Sequence, residues 1–346
     1  MKSTNSYIIF ICWVLLSSCS GNKSITTTNT YDGKYDGVEP NEGAVQSFDE
    51  MWKSVKLINS IAYYNSYSFS YEENITDEKF YQNKVELKQF PKSFYTDNSA
   101  GTAVILTNNN GNLLLLTCAH VVNFPDTVIT YYADKSGEPL ESIESFSIKI
   151  DQDNYVSDLP NNGYVKIIAF DDGIDAALLG GKFLSDKLLK HKPLQFNYGN
   201  SDEIDWGNKV YIFGYPMNRK MITSGMVSLY ESNPDDYFLI DAVFNRGMSG
   251  GVVMAVRDGA PNYEIVGMIK SSPADSKIVV KPFGIDDEYS NIPKGVFKGK
   301  LKIEIEKEMK YGISKVISIN AIKNFVAENS DLINDAGYQL PRFVFE

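Results

Sequence analysis

The chain has 346 residues and a formal net charge of −11, and 43% of its residues are apolar. That length and apolar content suffice for a packed core. An acidic chain without a basic cluster is poorly suited to nucleic acid, so no nucleic-acid partner is expected. Only two histidines, His120 and His191, are available for acid–base chemistry.

The N-terminal segment has the layout of a bacterial export signal. Lys2 precedes an apolar run over residues 7–16, which is too short for a bilayer span because a span takes about 20 residues. Residues 16–19 also fit a lipobox, in which the cysteine receives the lipid. An ordinary secretory signal with a chance cysteine is the alternative. The pattern predicts a signal peptide over residues 1–18 and lipidation of Cys19.

The next segment is rich in Ser, Thr, Asn, Gly and Asp, so residues 19–43 are expected to form a flexible tether. Ser20 directly after the lipidated cysteine favours the outer membrane, facing the periplasm or the cell surface. The predicted location is therefore the bacterial cell envelope, where the membrane serves as an anchor only. Residues 44–346 are predicted to form the folded, functional domain.

Short β-rich runs between Gly, Asn and Asp turns predict an all-β body. The run Asn108–Asn112 predicts a tight hairpin, and the aromatic run Tyr63–Phe69 is interpreted as a core strand. Near the end, Val316–Asn320 predicts a last strand and Ala321–Glu328 a C-terminal helix. Further strands are predicted at Thr102–Leu106, Leu113–Cys118, Val128–Tyr132, Phe146–Ile150, Val165–Phe170, Lys209–Phe213, Met226–Tyr230, Tyr237–Ile240 and Glu264–Ile269.

A Gly-x-Ser-Gly-Gly run over Gly247–Gly251 indicates a nucleophilic serine. It places the Ser249 hydroxyl among backbone N–H groups, of which those of Gly247 and Ser249 would stabilise an oxyanion. A serine nucleophile also needs a base and a group that orients the base. The remaining polar residues have to supply both.

His120 is the candidate base, because a strongly apolar strand ends just before it. His191 lies in a cationic, proline-terminated stretch and is expected to face water. Asp175 is the candidate orienting acid, since it directly precedes a short apolar strand. Asp171 and Asp172 read as turn residues, although they remain open as alternatives.

Three blocks in this order resemble the trypsin-like serine peptidases: Thr117–His120, Asp175–Leu179 and Gly247–Gly251. The resemblance implies two six-stranded antiparallel β-barrels, with the active site in the cleft between them and a C-terminal helix. It implies a first barrel at about residues 44–190 and a second at about residues 191–330. His120 and Asp175 would come from the first barrel and Ser249 from the second.

Further blocks are similar to the HtrA branch of that family, namely Phe213–Pro216, Thr223–Ser228 and Asp241–Asn245. The resemblance extends over Ser99–Glu328. Because fewer than 20 residues follow Glu328, no PDZ domain is expected there.

The chain departs from the family around the serine. Met248 stands where the family usually has Asp or Asn, so activation by a freed N-terminus is not expected, and Arg246 and Val252 replace common prolines. The resemblance places Val243 at the base of the primary pocket, which implies cleavage after small or medium apolar residues. A long insertion, about residues 275–311, includes an alternating run that predicts an added hairpin.

The resemblance also implies that the substrate strand pairs with the backbone at Ser271 and Ser272. Lipidation of Cys19 would leave Cys118 without a disulfide partner in the mature chain, as a small core residue rather than a reactive thiol. The predicted activity is a serine endopeptidase acting on extracytoplasmic proteins or peptides, with no metal or organic cofactor. The alternatives are an inactive peptide-binding protein on the same fold and, less favoured, an acyl esterase or transferase. The sequence indicates no particular oligomeric state.

Overall fold

The computed structural model describes residues 35–36, 42–82, 85–134, 138–183, 191–228, 236–271, 274–282, 301–309 and 312–344. The predicted signal peptide, Cys19 and Ser272 lie outside these ranges, as does most of the predicted tether. Both barrels described below belong to one compact unit, Gly33–Glu346.

The first barrel is a closed, six-stranded antiparallel sheet. Its order is β2-β3-β4-β8-β7-β6, and pairing of β6 with β2 closes it, while β5 pairs with β6 outside the ring. Along β2, alternate side chains such as Ile58, Ala62 and Tyr64 are buried, as a strand with one face on a core requires. The strands are β2 (Val55–Ser68), β3 (Lys92–Asn109), β4 (Asn112–Thr117), β5 (Thr127–Ala133), β6 (Pro139–Val156), β7 (Tyr164–Asp171) and β8 (Ala176–Lys182).

The second barrel has the same closed, six-stranded form. Its order is β10-β11-β12-β17-β14-β13, and β13 pairs back with β10. Two short strands extend it: β1 pairs antiparallel with β13, and β9 pairs parallel with β14. The strands are β1 (Tyr35–Asp36), β9 (Asn197–Tyr198), β10 (Lys209–Gly214), β11 (Met221–Ser228), β12 (Tyr237–Ile240), β13 (Val252–Arg257), β14 (Tyr263–Ser271) and β17 (Ser314–Ser318). Strand β1 lies within the segment that the sequence assigns to the tether.

The described helices are short and lie between the strands or after the last one in the chain. They are α1 (Glu42–Ser54), α2 (Asp77–Gln82), α3 (Ala119–Val122), α4 (Ile319–Glu328) and α5 (Ser330–Asp335). The Ser318 hydroxyl accepts a hydrogen bond from Ala321 N at 3.1 Å, so this N-cap starts α4 and ends the last strand two residues before the predicted boundary. In the part of the chain that the structure describes, no helix combines the length and apolarity needed to cross a membrane.

The all-β, double-barrel fold class is confirmed. The predicted hairpin is also confirmed, because Asn109 pairs with Asn112, and Asn110 and Gly111 take positive φ values of 51° and 91°, as a two-residue type I′ turn requires. Strand β13 was not predicted from the sequence. All but its last residue are buried, so it lacks the alternation by which a half-exposed strand is recognised.

The long insertion contains the predicted hairpin. Strand β15 (Ala274–Pro282) pairs antiparallel with β16 (Leu301–Met309), from Ala274 opposite Met309 to Pro282 opposite Leu301. The hairpin lies between β14 and β17 in the chain, and β14 carries residues of the site described next.

Candidate active site

Three elements bring His120, Asp175 and Ser249 to one place. His120 lies in α3, Asp175 lies in the turn before β8, and Ser249 lies in the loop between β12 and β13. His120 Nδ1 is 2.8 Å from Asp175 Oδ2, and His120 Nε2 is 2.9 Å from Ser249 Oγ. The residues that the sequence singles out as base, orienting acid and nucleophile thus form one hydrogen-bonded chain across the two barrels.

Asp175 holds both the ring and the backbone of the histidine segment. Its Oδ1 accepts from His120 N at 2.9 Å, and its backbone oxygen accepts from Ala119 N at 3.1 Å. Asp175 has φ 65°, a left-handed conformation that aspartate tolerates better than most residues. Asp171 accepts instead from Gly173 N and Ile174 N, which makes it the turn residue that the sequence suggests.

The hydrogen-bond network fixes the ring tautomer. An ionised carboxylate only accepts hydrogen bonds, so His120 Nδ1 carries the hydrogen towards Asp175 and Nε2 is left as an acceptor. The Ser249 hydroxyl can therefore donate to Nε2, and the oxygen of Lys270 lies within reach at 3.0 Å as a second acceptor. The Asp175 side chain is 10% exposed whereas that of His120 is 46% exposed, so the ring is accessible from solvent and its partner is not.

Glycines shape the loop around the serine. Gly247 and Gly250 have φ values of 97° and 88°, which disfavour any residue with a Cβ. At Gly250 a Cβ would also collide with the backbone oxygen of Thr102. Among the described residues, the N–H groups of Gly247 and Ser249 donate to no protein acceptor, so both are available to an incoming oxygen.

Lys270 is a site residue that the sequence interpretation missed. Its backbone oxygen lies 3.0 Å from Ser249 Oγ, and its ammonium lies 3.8 Å from Asp175 Oδ2 and 3.5 Å from the oxygen of Ile174. The only signal for it was its position immediately before Ser271, because nothing in the pattern of β14 indicates that this lysine turns towards the first barrel.

Cys118, His120 and Asp175 offer ligand atoms within 4.8 Å of one another, as a metal site would. A metal needs the thiolate form of cysteine. Burial raises the pKa of the Cys118 thiol well above its usual range, and the charge of Asp175 adds to the effect. The thiol instead donates to the oxygen of Ile269 at 3.5 Å. Cys118 is thus a protonated core residue, which is the role expected from the sequence.

Four other residues complete the comparison with the sequence. His191 is 2% exposed, so the expectation that it faces water is wrong; its backbone oxygen accepts from Asn108 Nδ2 at 3.0 Å, which draws the segment against the end of β3. Val243 lies between β12 and residues 246–251, which we call the serine loop, and is 50% exposed. Ser271 ends β14 opposite Lys315, and Ser272 lies outside the described residues.

Comparison with known proteins assigns a family to this part of the chain. Residues 101–268, just under half of the chain, match the family model described as a trypsin-like peptidase domain. A solved structure, the serine endoprotease from Yersinia pestis, is similar at 16% identity over 86% of this chain and 69% of that one, with a TM-score of 0.38. A likeness at that level supports no common function. No curated protein sequence matches the chain. The family match shows a trypsin-like peptidase domain over residues 101–268.

Proposed function

We propose that the chain is a serine endopeptidase in which Ser249 is the nucleophile, His120 the general base and Asp175 the group that orients the base. The observation that carries the proposal is the hydrogen-bonded chain from Ser249 Oγ through the imidazole to the Asp175 carboxylate, with distances of 2.9 and 2.8 Å. This arrangement lies within a domain of the trypsin-like peptidase family.

The reaction follows from the geometry of these groups. Ser249 Oγ bonds to the peptide carbonyl carbon while its proton passes to His120 Nε2, and the carbonyl π pair moves onto oxygen. When the C–N bond breaks, the imidazolium returns that proton to the leaving amine. Water then attacks the acyl-enzyme, His120 takes a proton from the water, and collapse of the intermediate releases the acid and returns the proton to Ser249. Asp175 stays ionised and stabilises the imidazolium throughout.

The oxyanion of each tetrahedral intermediate would bind the N–H groups of Gly247 and Ser249. Two features support this part of the proposal: both groups lack a protein acceptor among the described residues, and Gly247 and Gly250 take positive φ values on either side of the serine. Loss of one such donor typically costs about 3–4 kcal/mol of transition-state stabilisation.

Substrate choice is proposed to follow from Val243 and the end of β14. Val243 is apolar and partly accessible, and as the proposed base of the pocket it would favour small or medium apolar side chains over charged ones. The backbone at Ser271 and Ser272 would pair with the substrate as an added strand. Cut sites in a denatured protein test this preference, and a predominance of cleavage after Lys, Arg, Asp or Glu would contradict it.

The enzyme is proposed to work outside the cytoplasm, held to the cell envelope through a lipid on Cys19. The support is the basic start, short apolar core and cysteine of the N-terminal segment. Replacing the cysteine, Cys19→Ala, should move the protein from the membrane fraction to the soluble fraction. Retention of that variant in the membrane fraction would refute the lipid anchor.

The activity is tested by comparing the full-length protein with its Ser249→Ala variant in detergent. The full-length protein is used because β1 (Tyr35–Asp36), near the N-terminus, pairs with β13 of the second barrel and would be lost from an N-terminally shortened fragment. Wild type should cut an unfolded protein and react with a fluorophosphonate probe, and the variant should do neither. A well-folded wild type that binds unfolded peptides without cutting them or reacting would point to the binding-protein alternative.

A further inference from the structure

Thr102, on β3 of the first barrel, forms a hydrogen bond through its hydroxyl with the serine loop of the second barrel. The residue is fully buried. Its Oγ1 accepts from Tyr215 N at 3.0 Å and donates to the backbone oxygen of Gly247 at 2.8 Å. One hydroxyl therefore joins the segment after β10 to the first glycine of the serine loop.

The backbone of Thr102 contacts the same loop. Its N–H donates to the oxygen of Ser249 at 2.7 Å, and its own oxygen accepts from the Thr117 hydroxyl at 2.7 Å. Every polar group of Thr102 is thus engaged within a buried junction of the two barrels.

Four successive carbonyl groups of the loop are each held by a donor. Arg246 O accepts from Met217 N at 3.0 Å, and Met248 O accepts from Gly251 N at 2.8 Å. The oxygens of Gly247 and Ser249 accept from Thr102, as given above. In a trans peptide the N–H points opposite to the C=O. Anchoring the oxygens of Arg246 and Met248 therefore turns the N–H groups of Gly247 and Ser249 the other way, away from those donors.

The peptide between those two oxyanion donors is the one whose oxygen Thr102 holds. If the Gly247 carbonyl rotates, the backbone torsions on either side change with it, and the directions of the two N–H groups change as well. The other three anchors are backbone N–H groups. The Thr102 hydroxyl is thus the one anchor of the four that a side-chain substitution removes.

We propose that the Thr102 hydroxyl is a positioning group for the oxyanion hole, acting from the first barrel on the Gly247 carbonyl of the second. The inference rests on the proposed function, because the hole matters only if Ser249 attacks a carbonyl group. Thr102 does not touch the reacting atoms. Without its hydroxyl, Tyr215 N and Gly247 O are both left in a buried site without this partner, and the loop relaxes to satisfy them elsewhere.

The test compares Thr102→Val, which keeps the shape and removes the hydroxyl, with Thr102→Ser, which keeps the hydroxyl. The readout is the rate of fluorophosphonate labelling as a function of probe concentration, because the phosphoryl oxygen of this probe occupies the oxyanion site. The valine variant should lose about 10- to 100-fold in the maximal labelling rate, with little change in the half-saturating concentration, because a misplaced donor costs part of its transition-state stabilisation. The serine variant should recover most of the rate.

Thr107→Val is the matched control. Thr107 lies on the same strand, is also buried, and donates its hydroxyl to the backbone oxygen of Gln339 at 2.9 Å, outside the serine loop. It should lose stability without losing the labelling rate. Equal losses of labelling rate in the Thr107 and Thr102 variants would show that the effect is general destabilisation, and this would overturn the proposal. If Thr102→Val does not fold, Thr102→Ala removes the hydroxyl without adding a methyl group and takes its place.

A crystal structure of the valine variant separates this proposal from the proposed function. The Gly247 carbonyl should point in a different direction from that in wild type, whether or not the enzyme cleaves peptides. A carbonyl that stays in place overturns the positioning role even if the peptidase activity stands. Equal labelling of wild type and Ser249→Ala would instead refute the proposed function, while the carbonyl direction would still decide the structural claim.

Discussion

The Asp175 carboxylate has three polar neighbours, and each has a different consequence. Oδ2 accepts from the His120 ring and so sets its tautomer, and Oδ1 accepts from the His120 backbone N–H. The Lys270 ammonium lies 3.8 Å from Oδ2. A buried carboxylate needs such partners to remain ionised. Lys270 places a positive charge near Oδ2, the same oxygen that accepts from the His120 ring.

Asp175→Asn should leave the fold intact and lower the fluorophosphonate labelling rate by about 10⁴-fold, because an amide no longer selects the tautomer that leaves Nε2 as the acceptor. Asp172→Asn is the matched control. Asp172 lies in the same turn, but it is exposed and accepts a hydrogen bond from Asn123 Nδ2 at 2.9 Å instead of holding the histidine. A labelling rate of Asp175→Asn close to that of wild type would contradict the assigned role.

At the scale of the elements, the site depends on loops that only glycine can form. The serine loop passes so close to β3 that the Gly250 Cα faces the Thr102 backbone, and Gly250 N donates to the oxygen of Ile269 at 2.9 Å. Strands from both barrels therefore fix one short loop. Position 250 must therefore satisfy two conditions: its φ must be positive, and the space where a Cβ would lie must be empty.

A pair of substitutions separates these two requirements. Gly259 has φ 90°, and a Cβ there would meet nothing within 4 Å, so Gly259→Ala should cost about 1–2 kcal/mol of unfolding free energy and leave labelling unchanged. Gly250→Ala carries the same strain and adds the collision with β3, so it should cost more and reduce labelling sharply. Urea unfolding and labelling rates measure both effects. Similar behaviour of the two variants would show that the close approach is unimportant.

At the scale of the whole molecule, one apolar core runs through both barrels. It includes Leu116 of β4, Met254 of β13 and Ile317 of β17. Tyr215 adds a polar contact across the junction, because its hydroxyl lies 3.4 Å from the oxygen of Val55 at the start of β2. Burial raises the pKa of Tyr215 to about 12. We therefore expect alkaline pH to weaken this junction.

The molecule should lose stability as pH rises from about 10 to about 12. In this range the phenol of the unfolded chain has lost its proton, whereas folded Tyr215 keeps it, so the unfolded state binds fewer protons and the free energy of unfolding falls with pH. Tyr215→Phe should flatten this fall, as measured by urea unfolding at several pH values. Tyr164→Phe, at a tyrosine that is 53% exposed, is the control. An identical pH dependence of the Tyr215 variant and wild type would refute the prediction.

The sequence by itself determined most of the strands, the Asn-Gly hairpin and the three polar residues of the hydrogen-bonded chain. Each of these depends on local chemistry: short β-rich runs bounded by turn residues, positive φ at two successive residues, and very few candidate bases in a chain with two histidines. The tertiary structure alone decided the burial of His191, the strand β13, and the positions of Lys270 and Thr102. The last two act through backbone or side-chain groups that meet across the two barrels, and residues more than 100 positions apart, such as Thr102 and Gly247, have no local pattern that records their contact. Sequence periodicity reports which face of a strand is buried, whereas the partner that covers that face is set only when the barrels close and pack together.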